Sequence, residues 1–81
     1  MSDEHKEISL DDLSSGEAGV ISGVDCPDRE LRQKLFTMGL VVGTPLAITG
    51  VAPFGCPISV KLLGTTVALR RAEAHHIRVT I

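Results

Sequence analysis

The stretch LFTMGLVVGTPL, residues 35–46, passes from a helical pattern to a strand pattern within twelve positions. Gly39 stands where a helix needs a terminating residue in the left-handed conformation. We expect the helix to end there, so that Leu40 folds back beneath it. Gly43-Thr44-Pro45 then restarts the chain as a strand, because proline lacks an N–H and belongs at a strand start or edge.

The helix before this break has a defined start and one apolar face. Asp28 can cap it, or Pro27 can occupy its first turn. Apolar residues then recur at i, i+4 and i+7, which predicts a single buried stripe: Leu31, Leu35 and Met38. Arg32 lies off this stripe. Phe36 lies about 140° from Leu31 at about 100° per residue, so either the helix is buried on two sides or Phe36 meets a neighbouring molecule.

Apolar residues that alternate with other residues predict five short strands, at 17–25, 46–49, 58–63, 67–69 and 77–81. Three glycines in or next to the first of them suggest bends or close approaches of two backbones: Gly16, Gly19 and Gly23. Residues 52–57 are rich in turn formers, and 70–76 is too short for more than one helical turn. The sequence therefore predicts a mainly β domain, a small five-stranded barrel with a helix inserted between the first two strands.

Length and composition indicate one folded domain, expected over residues 8–81 after a flexible N-terminal segment at 1–7. Ser9 and Asp12 are spaced like a capping box for one short turn. The net charge of −2 gives no electrostatic reason to bind nucleic acid or anionic lipid. No apolar run approaches the roughly 20 residues that span a bilayer, and the charged start lacks the apolar core of a signal peptide. We expect a cytoplasmic protein with no nucleic acid partner and no direct membrane insertion.

The sequence contains no pattern typical of catalysis or of a cofactor site. A carboxylate pair, a nucleophile with its base and a P-loop are all absent, so we predict no enzyme activity and no cofactor. His75 and His76 would face opposite ways in an extended segment, and with the cysteines they match no zinc-ligand spacing. We therefore predict no metal site. Cys26 and Cys56 are expected to be small buried side chains, although a disulfide stays open.

Three further residues have two interpretations each. Phe54, at the tip of the 52–57 loop, either folds over one end of the barrel to close a small core or anchors a partner from an exposed position. Arg70 and Arg71 follow a predicted strand, where adjacent side chains point in opposite directions. They either form a solvated pair that protects a sheet edge, or one of them reaches a partner.

The order and spacing of several short motifs resemble those of the ferrous iron transport protein A (FeoA) family. The central motif lies within residues 32–44. The residues that carry the resemblance are Leu10, Leu13, Gly16, Lys34-Leu35, Met38-Gly39-Leu40, Gly43-Thr44, the loop 52–58, Val67-Ala68-Leu69-Arg70, Ala74, Ile77 and Val79. Together they span about 8–81. Lys34 replaces the arginine usual in the family, and Cys56 replaces its usual aspartate.

The resemblance implies an SH3-like β-barrel that acts beside the ferrous iron transporter B, a membrane permease with a cytoplasmic GTP-binding domain. On this basis we expect an accessory protein of bacterial Fe(II) uptake that binds the cytoplasmic part of that permease. The predicted contact residues are Phe36, Phe54, Arg32, Arg70 and Arg71. A strand edge or Phe36 could also support a weak homodimer.

Two alternative functions stay open. If the partner is a GTPase, Arg70 or Arg71 could stabilise the charge that develops during GTP hydrolysis, which would make the protein an activator of the permease GTPase. The other alternative is a stand-alone metal-responsive domain related to the SH3-like tail of regulators of the diphtheria toxin repressor type.

Overall fold

A computed structural model describes residues 6–54 and 56–81 of the 81-residue chain. It contains six strands and two α-helices, with a 3-10 turn at Leu10–Asp12. The strands are β1 (Glu7–Ser9), β2 (Ala18–Val24), β3 (Pro45–Val51), β4 (Ile58–Leu62), β5 (Thr65–Leu69) and β6 (Ile77–Thr80), and the helices are α1 (Arg29–Thr37) and α2 (Arg71–Ala74). The described residues include no helix long and apolar enough to cross a membrane.

All six strands form one antiparallel sheet in the order β1-β6-β2-β3-β4-β5. The predicted class, mainly β with a helix inserted between the first two predicted strands, is confirmed. The structure adds β1, which pairs with β6, and the sheet keeps two edges instead of closing completely. Register shifts between Ile21 and Gly23 and between Ile48 and Gly50 mark the irregularities at which a strand bends.

Two predictions concern the N-terminal part of the chain, namely a flexible segment at 1–7 and a short capped turn near Ser9. Residues 1–5 of the segment predicted to be flexible lie outside the described residues, and Glu7 pairs with Thr80. The turn expected near Ser9 is present as the 3-10 turn, but the Ser9 side chain makes no capping hydrogen bond. This turn is held instead by its own backbone and by the burial of Leu10, which is 0% exposed.

Alternate residues of the central strands enter a single core, as the period-two pattern predicts. The largest fully buried side chains are Leu10, Ile21, Leu35, Leu40, Ile48, Ile58, Leu69, Ile77, Val60, Val79 and Cys26. Only aliphatic side chains and one thiol appear in this set. The core therefore contains no aromatic side chain, and both phenylalanines remain outside it.

Helix α1 begins and ends as its sequence predicts. The Asp28 carboxylate accepts hydrogen bonds from the backbone N–H groups of Glu30 (3.0 Å) and Leu31 (3.4 Å), which caps the first turn. Leu35 is fully buried, while Leu31 and Met38 pack against the core from partly buried positions. Gly39 has φ +93°, and Leu40 is 0% exposed beneath the helix.

Gly19 lies where two backbones approach closely, which confirms that expectation. A Cβ atom at this position would lie 2.9 Å from the carbonyl oxygen of Thr80 and 3.0 Å from Cγ2 of Ile81. Because the Thr80 oxygen belongs to the backbone of β6, it cannot move without disturbing the sheet.

We expect Gly19→Ala to lower the free energy of unfolding by about 2 kcal/mol, the usual cost of overpacking a tight site. Gly23→Ala is a matched control on the same strand, since a Cβ there would meet nothing within 4 Å. Chemical denaturation of both variants measures the difference. Equal stabilities for the two variants would contradict the close approach of β2 and β6.

Candidate interaction surface

Both phenylalanines are exposed. Phe36 on α1 is 61% exposed, and Phe54 in the loop after β3 is 98% exposed. The interpretation that Phe54 closes one end of the barrel is therefore wrong, and α1 is buried on one side only. The aliphatic core fills the space between sheet and helix without either ring.

Sequence reasoning missed two exposed apolar residues near Phe36. Leu63 is 70% exposed with φ 50°, and its Cδ1 lies 3.0 Å from the place where a Cβ of Gly39 would be. The Gly39 N–H donates to the carbonyl oxygen of Phe36 (3.0 Å). Leu63 and Phe36 therefore both lie near Gly39, at the C-terminal end of α1. Val42, in the turn that follows, is 66% exposed. We call Phe36, Val42 and Leu63 the apolar end of α1.

The signal for Leu63 was present in the sequence. The sequence predicts a strand over 58–63, in which the adjacent Leu62 and Leu63 would face opposite sides of the sheet. Leu62 is 2% exposed. One leucine of such a pair is therefore expected to face outward. In the structure β4 ends at Leu62, and Leu63 is exposed in the turn that it forms with Gly64 before β5.

Arg32 lies one turn before Phe36 on the same face of α1, because residues four apart on a helix are neighbours. One of its Nη2 protons is donated to the carbonyl oxygen of Cys26 at 3.0 Å. This bond fixes the guanidinium against the loop between β2 and α1. The structure thus brings two of the predicted contact residues, Arg32 and Phe36, onto one surface.

Arg70 and Arg71 were expected to point to opposite sides of a strand end. In the structure Arg70 is instead the N-cap of helix α2, and Arg71 is the first residue of that helix. The Arg70 backbone N–H donates to Oε1 of Glu73 (2.9 Å). The Arg71 guanidinium donates from Nη1 to the carbonyl oxygen of Asp11 (2.9 Å), sixty residues away. Arg71 therefore ties α2 to the 3-10 turn that follows β1.

Glu73 joins the two helices. Its Oε2 lies 3.2 Å from Nζ of Lys34, and its side chain is 13% exposed. The hydrogen bond from the Arg70 backbone N–H lowers the pKa of the Glu73 carboxyl, and Lys34 lowers it further, while burial acts in the opposite direction. The lysine that departs from the family pattern thus has a partner of its own. Glu73 lies three residues after Arg70, which is the spacing typical of a carboxylate that caps a helix. The sequence could therefore have revealed the contact between Glu73 and the Arg70 backbone N–H.

His75 and His76 do not lie in an extended segment, so the geometric reason given for their divergence is wrong. His75 has helical backbone angles at the end of α2. The two rings still turn to different partners: His75 Nδ1 lies 3.3 Å from Oδ2 of Asp11, and His76 Nδ1 lies 3.2 Å from the carbonyl oxygen of Asp25. Each histidine links the end of α2 to a different segment.

Neither cysteine takes part in a disulfide. Cys26 is buried, as predicted, but Cys56 is exposed, which makes the prediction of burial wrong for it. Its loop extends away from the core, as Phe54 already shows. Within residues 6–54 and 56–81, no group of three or more histidine, cysteine, aspartate or glutamate side chains is arranged to hold a metal ion.

Comparison with known proteins identifies relatives along nearly the whole chain. The FeoA domain model matches residues 8–81. A FeoA-like protein from Clostridium acetobutylicum, solved by NMR, is 34% identical with a TM-score of 0.82, over 94% of this chain and 86% of that one. The FeoA protein of Stenotrophomonas maltophilia, crystallised with zinc, is 25% identical with a TM-score of 0.76, over 91% and 89%. A comparison with curated proteins gives no match.

The Stenotrophomonas protein is described as a prokaryotic SH3 domain protein and a candidate ferrous iron transport activating factor. The SH3-like class predicted for this chain is therefore confirmed. A manganese-dependent transcriptional repressor also superposes, with a TM-score of 0.85 and 21% identity, over 95% of this chain and 42% of that one. At this identity the likeness concerns the fold alone.

We expect the Glu73 contacts to make stability depend on pH. Glu73→Gln should cost about 1 kcal/mol at neutral pH, since it weakens a charge-assisted cap and removes an ion pair. A lowered folded-state pKa means that this contribution is fully present above about pH 5 and is lost as the pH falls through the folded-state value. Wild type and variant should therefore converge in acid.

Urea denaturation at several pH values measures this convergence. Glu30→Gln serves as a control, because Glu30 is an exposed carboxylate on α1. A difference between wild type and Glu73→Gln that does not shrink as the pH falls below the ordinary range of a glutamate would contradict the assignment, since a lowered pKa contributes less stability once the unfolded state binds the proton.

Proposed function

The chain belongs to the FeoA family, and from this premise we propose that it is a small cytoplasmic accessory protein of bacterial ferrous iron uptake. The family and its solved members support a role in ferrous iron transport. The finer proposal is that the protein binds the cytoplasmic part of the ferrous iron transporter B permease. It would act there by binding alone, as a domain without a catalytic centre.

The apolar end of α1 is the observation that supports a binding role. Phe36, Val42 and Leu63 are each more than half exposed in a domain whose core contains only aliphatic side chains and a thiol. Aromatic residues carry a disproportionate share of interface energy when a partner buries them. Each of these side chains is exposed, so a partner can reach it without any rearrangement of the fold.

Arg32 adds a charged group to the same surface. It lies one helical turn before Phe36 and is anchored to the Cys26 carbonyl. Because the guanidinium is already fixed, less side-chain entropy is lost when a partner contacts it. Phe54, on the loop after β3, offers a second exposed ring.

Arg71 is occupied in a way that favours binding over activation of GTP hydrolysis. An arginine that stabilises a transition state in a partner must extend into the nucleotide site of that partner. The guanidinium of Arg71 instead donates to the Asp11 carbonyl and holds α2 against the 3-10 turn. Releasing it would remove a contact that positions α2.

We expect the purified protein to bind the isolated cytoplasmic domain of the permease in calorimetric titration. Phe36→Ala should weaken this affinity by about tenfold or more, as truncation of a central aromatic anchor does. Phe54→Ala tests the second ring in the same assay. Thr66→Ala, an exposed position on the edge strand β5, is the control and should bind like wild type.

Circular dichroism of each variant confirms that the fold is retained. Failure of the wild-type protein to bind at near-millimolar concentration, with and without nucleotide, would overturn the proposed function. Binding that Phe36→Ala leaves unchanged would instead remove the apolar end of α1 from the interface.

A further inference from the structure

A cleft of about 480 Å³ opens between the start of α1 and the turn from α2 to β6. Two arginines, Arg32 and Arg78, and two histidines, His75 and His76, line it. Among the described residues that line it, Asp25 is the one carboxylate. The sequence gives no hint of this grouping, because α1 and β6 are separated by some forty residues and meet only when β2 pairs with β6.

The walls of the cleft are fixed by hydrogen bonds. The Asp25 backbone N–H donates to the His76 carbonyl at 2.7 Å, and the His76 ring returns a bond from Nδ1 to the Asp25 carbonyl at 3.2 Å. Since a carbonyl oxygen only accepts, this nitrogen carries the ring proton. Arg32 is hydrogen-bonded to the Cys26 carbonyl. Arg78 of β6 pairs with Ser9 of β1 on one side and with Gly23 of β2 on the other. The cleft is therefore formed before any ligand arrives.

The charge of the cleft is opposite to that of the whole chain. The protein carries a net charge of −2, but two arginines and one aspartate are among the residues that line the cleft. Nearby carboxylates have other partners: Asp11 lies against His75, and Asp28 caps α1. A locally positive site on a protein of net negative charge attracts anionic groups to that place on the surface.

The donors of Arg32 suit a planar oxyanion. A guanidinium has five N–H donors in a fixed fork, and Arg32 gives one of them to the Cys26 carbonyl. The remaining donors can bind a carboxylate through two parallel hydrogen bonds. The two arginines exceed Asp25 by one positive charge, so a single carboxylate neutralises the cleft, whereas a dianionic phosphate would leave an excess negative charge.

We propose that this cleft binds a glutamate or aspartate side chain on an acidic segment of the protein partner. Arg32 lies about 6 Å along the helix axis from Phe36, four residues at about 1.5 Å each. A peptide that covers the apolar end of α1 can therefore place a carboxylate in the cleft. This inference deepens the proposed function and rests on it for the identity of the partner, but not for the chemistry of the site.

The full chain, labelled with ¹⁵N, tests the proposal by NMR titration with acetyl-(Glu-Gly)₃-amide. We expect saturable shifts of the backbone amides of Cys26, Arg32, His76 and Arg78. The matched peptide with glutamine in place of glutamate should cause none of them. Inorganic phosphate at the same concentration should bind more weakly than the acidic peptide.

Variants of the cleft make the expectation quantitative. Arg32→Ala and Arg78→Gln should each weaken the acidic peptide about threefold, in the range of an exposed ion pair, and Asp25→Asn should strengthen it about twofold. Arg78→Gln leaves the Arg32 anchor intact, so it serves even if Arg32→Ala disturbs the loop. Arg29→Ala, an exposed arginine of α1 that does not line the cleft, is the control.

Three outcomes would overturn the proposal: equal shifts with the glutamine peptide, tighter binding of phosphate, or shifts confined to residues outside the cleft. Its failure is distinguishable from failure of the proposed function. If the permease domain binds and neither Arg32→Ala nor Arg78→Gln changes its affinity, the cleft proposal is wrong while the proposed function stands. If the acidic peptide binds and the permease domain does not, the proposed partner is wrong and the proposed carboxylate site is still supported.

Discussion

The break at Gly39 is the constraint on which the rest of the structure depends. Its φ of +93° lies in the left-handed region, where a side chain is strained, and a Cβ there would also meet Cδ1 of Leu63 at 3.0 Å. After α1 ends here, Leu40 enters the core beneath the helix, where it is 0% exposed. The turn then joins β2 through two backbone bonds, from Gly43 N–H to the Ile21 carbonyl (2.8 Å) and from Ile21 N–H to the Thr44 carbonyl (2.9 Å). Phe36 lies about 100° around α1 from the buried Leu35, so it stays outside the core and is 61% exposed.

Helix α2 holds the periphery together although it is only four residues long. A helix of this length is not stable in isolation, because its nucleation cost exceeds what one turn returns. Contacts to three separate segments compensate: Arg71 to the Asp11 carbonyl, Glu73 to Lys34, and the following His76 to Asp25. One of these side chains, Arg71, was predicted from the sequence to contact a partner. On so small a surface, the same residue types both bind partners and join short elements.

Features set by neighbouring residues were predictable from the sequence, and features set by distant contacts were not. The Asp28 cap, the buried Leu35 and the turn at Gly39 each depend on a few adjacent positions, and the structure has all three. The exposure of Phe54 depends on whether aliphatic residues from other strands already fill the core, which no local pattern reveals. The cleft beside Arg32 likewise requires the pairing of β2 with β6. The doublet at Leu62 and Leu63 lies between these cases, since its alternation was readable but its position beside Gly39 was not.

The apolar end of α1 and the neighbouring cleft are suited to different parts of one recognition event. Exposed ion pairs contribute little free energy, so Arg32 and Arg78 alone cannot hold a partner tightly. Burial of an aromatic ring supplies affinity, yet it is non-directional and would accept many apolar surfaces. A fixed guanidinium one helical turn away adds direction, because it rewards only those partners whose carboxylate lies at that distance from their apolar contact. Arg32 and Arg78 give the cleft a locally positive lining on a chain of net charge −2, which favours a partner that brings a carboxylate to this place.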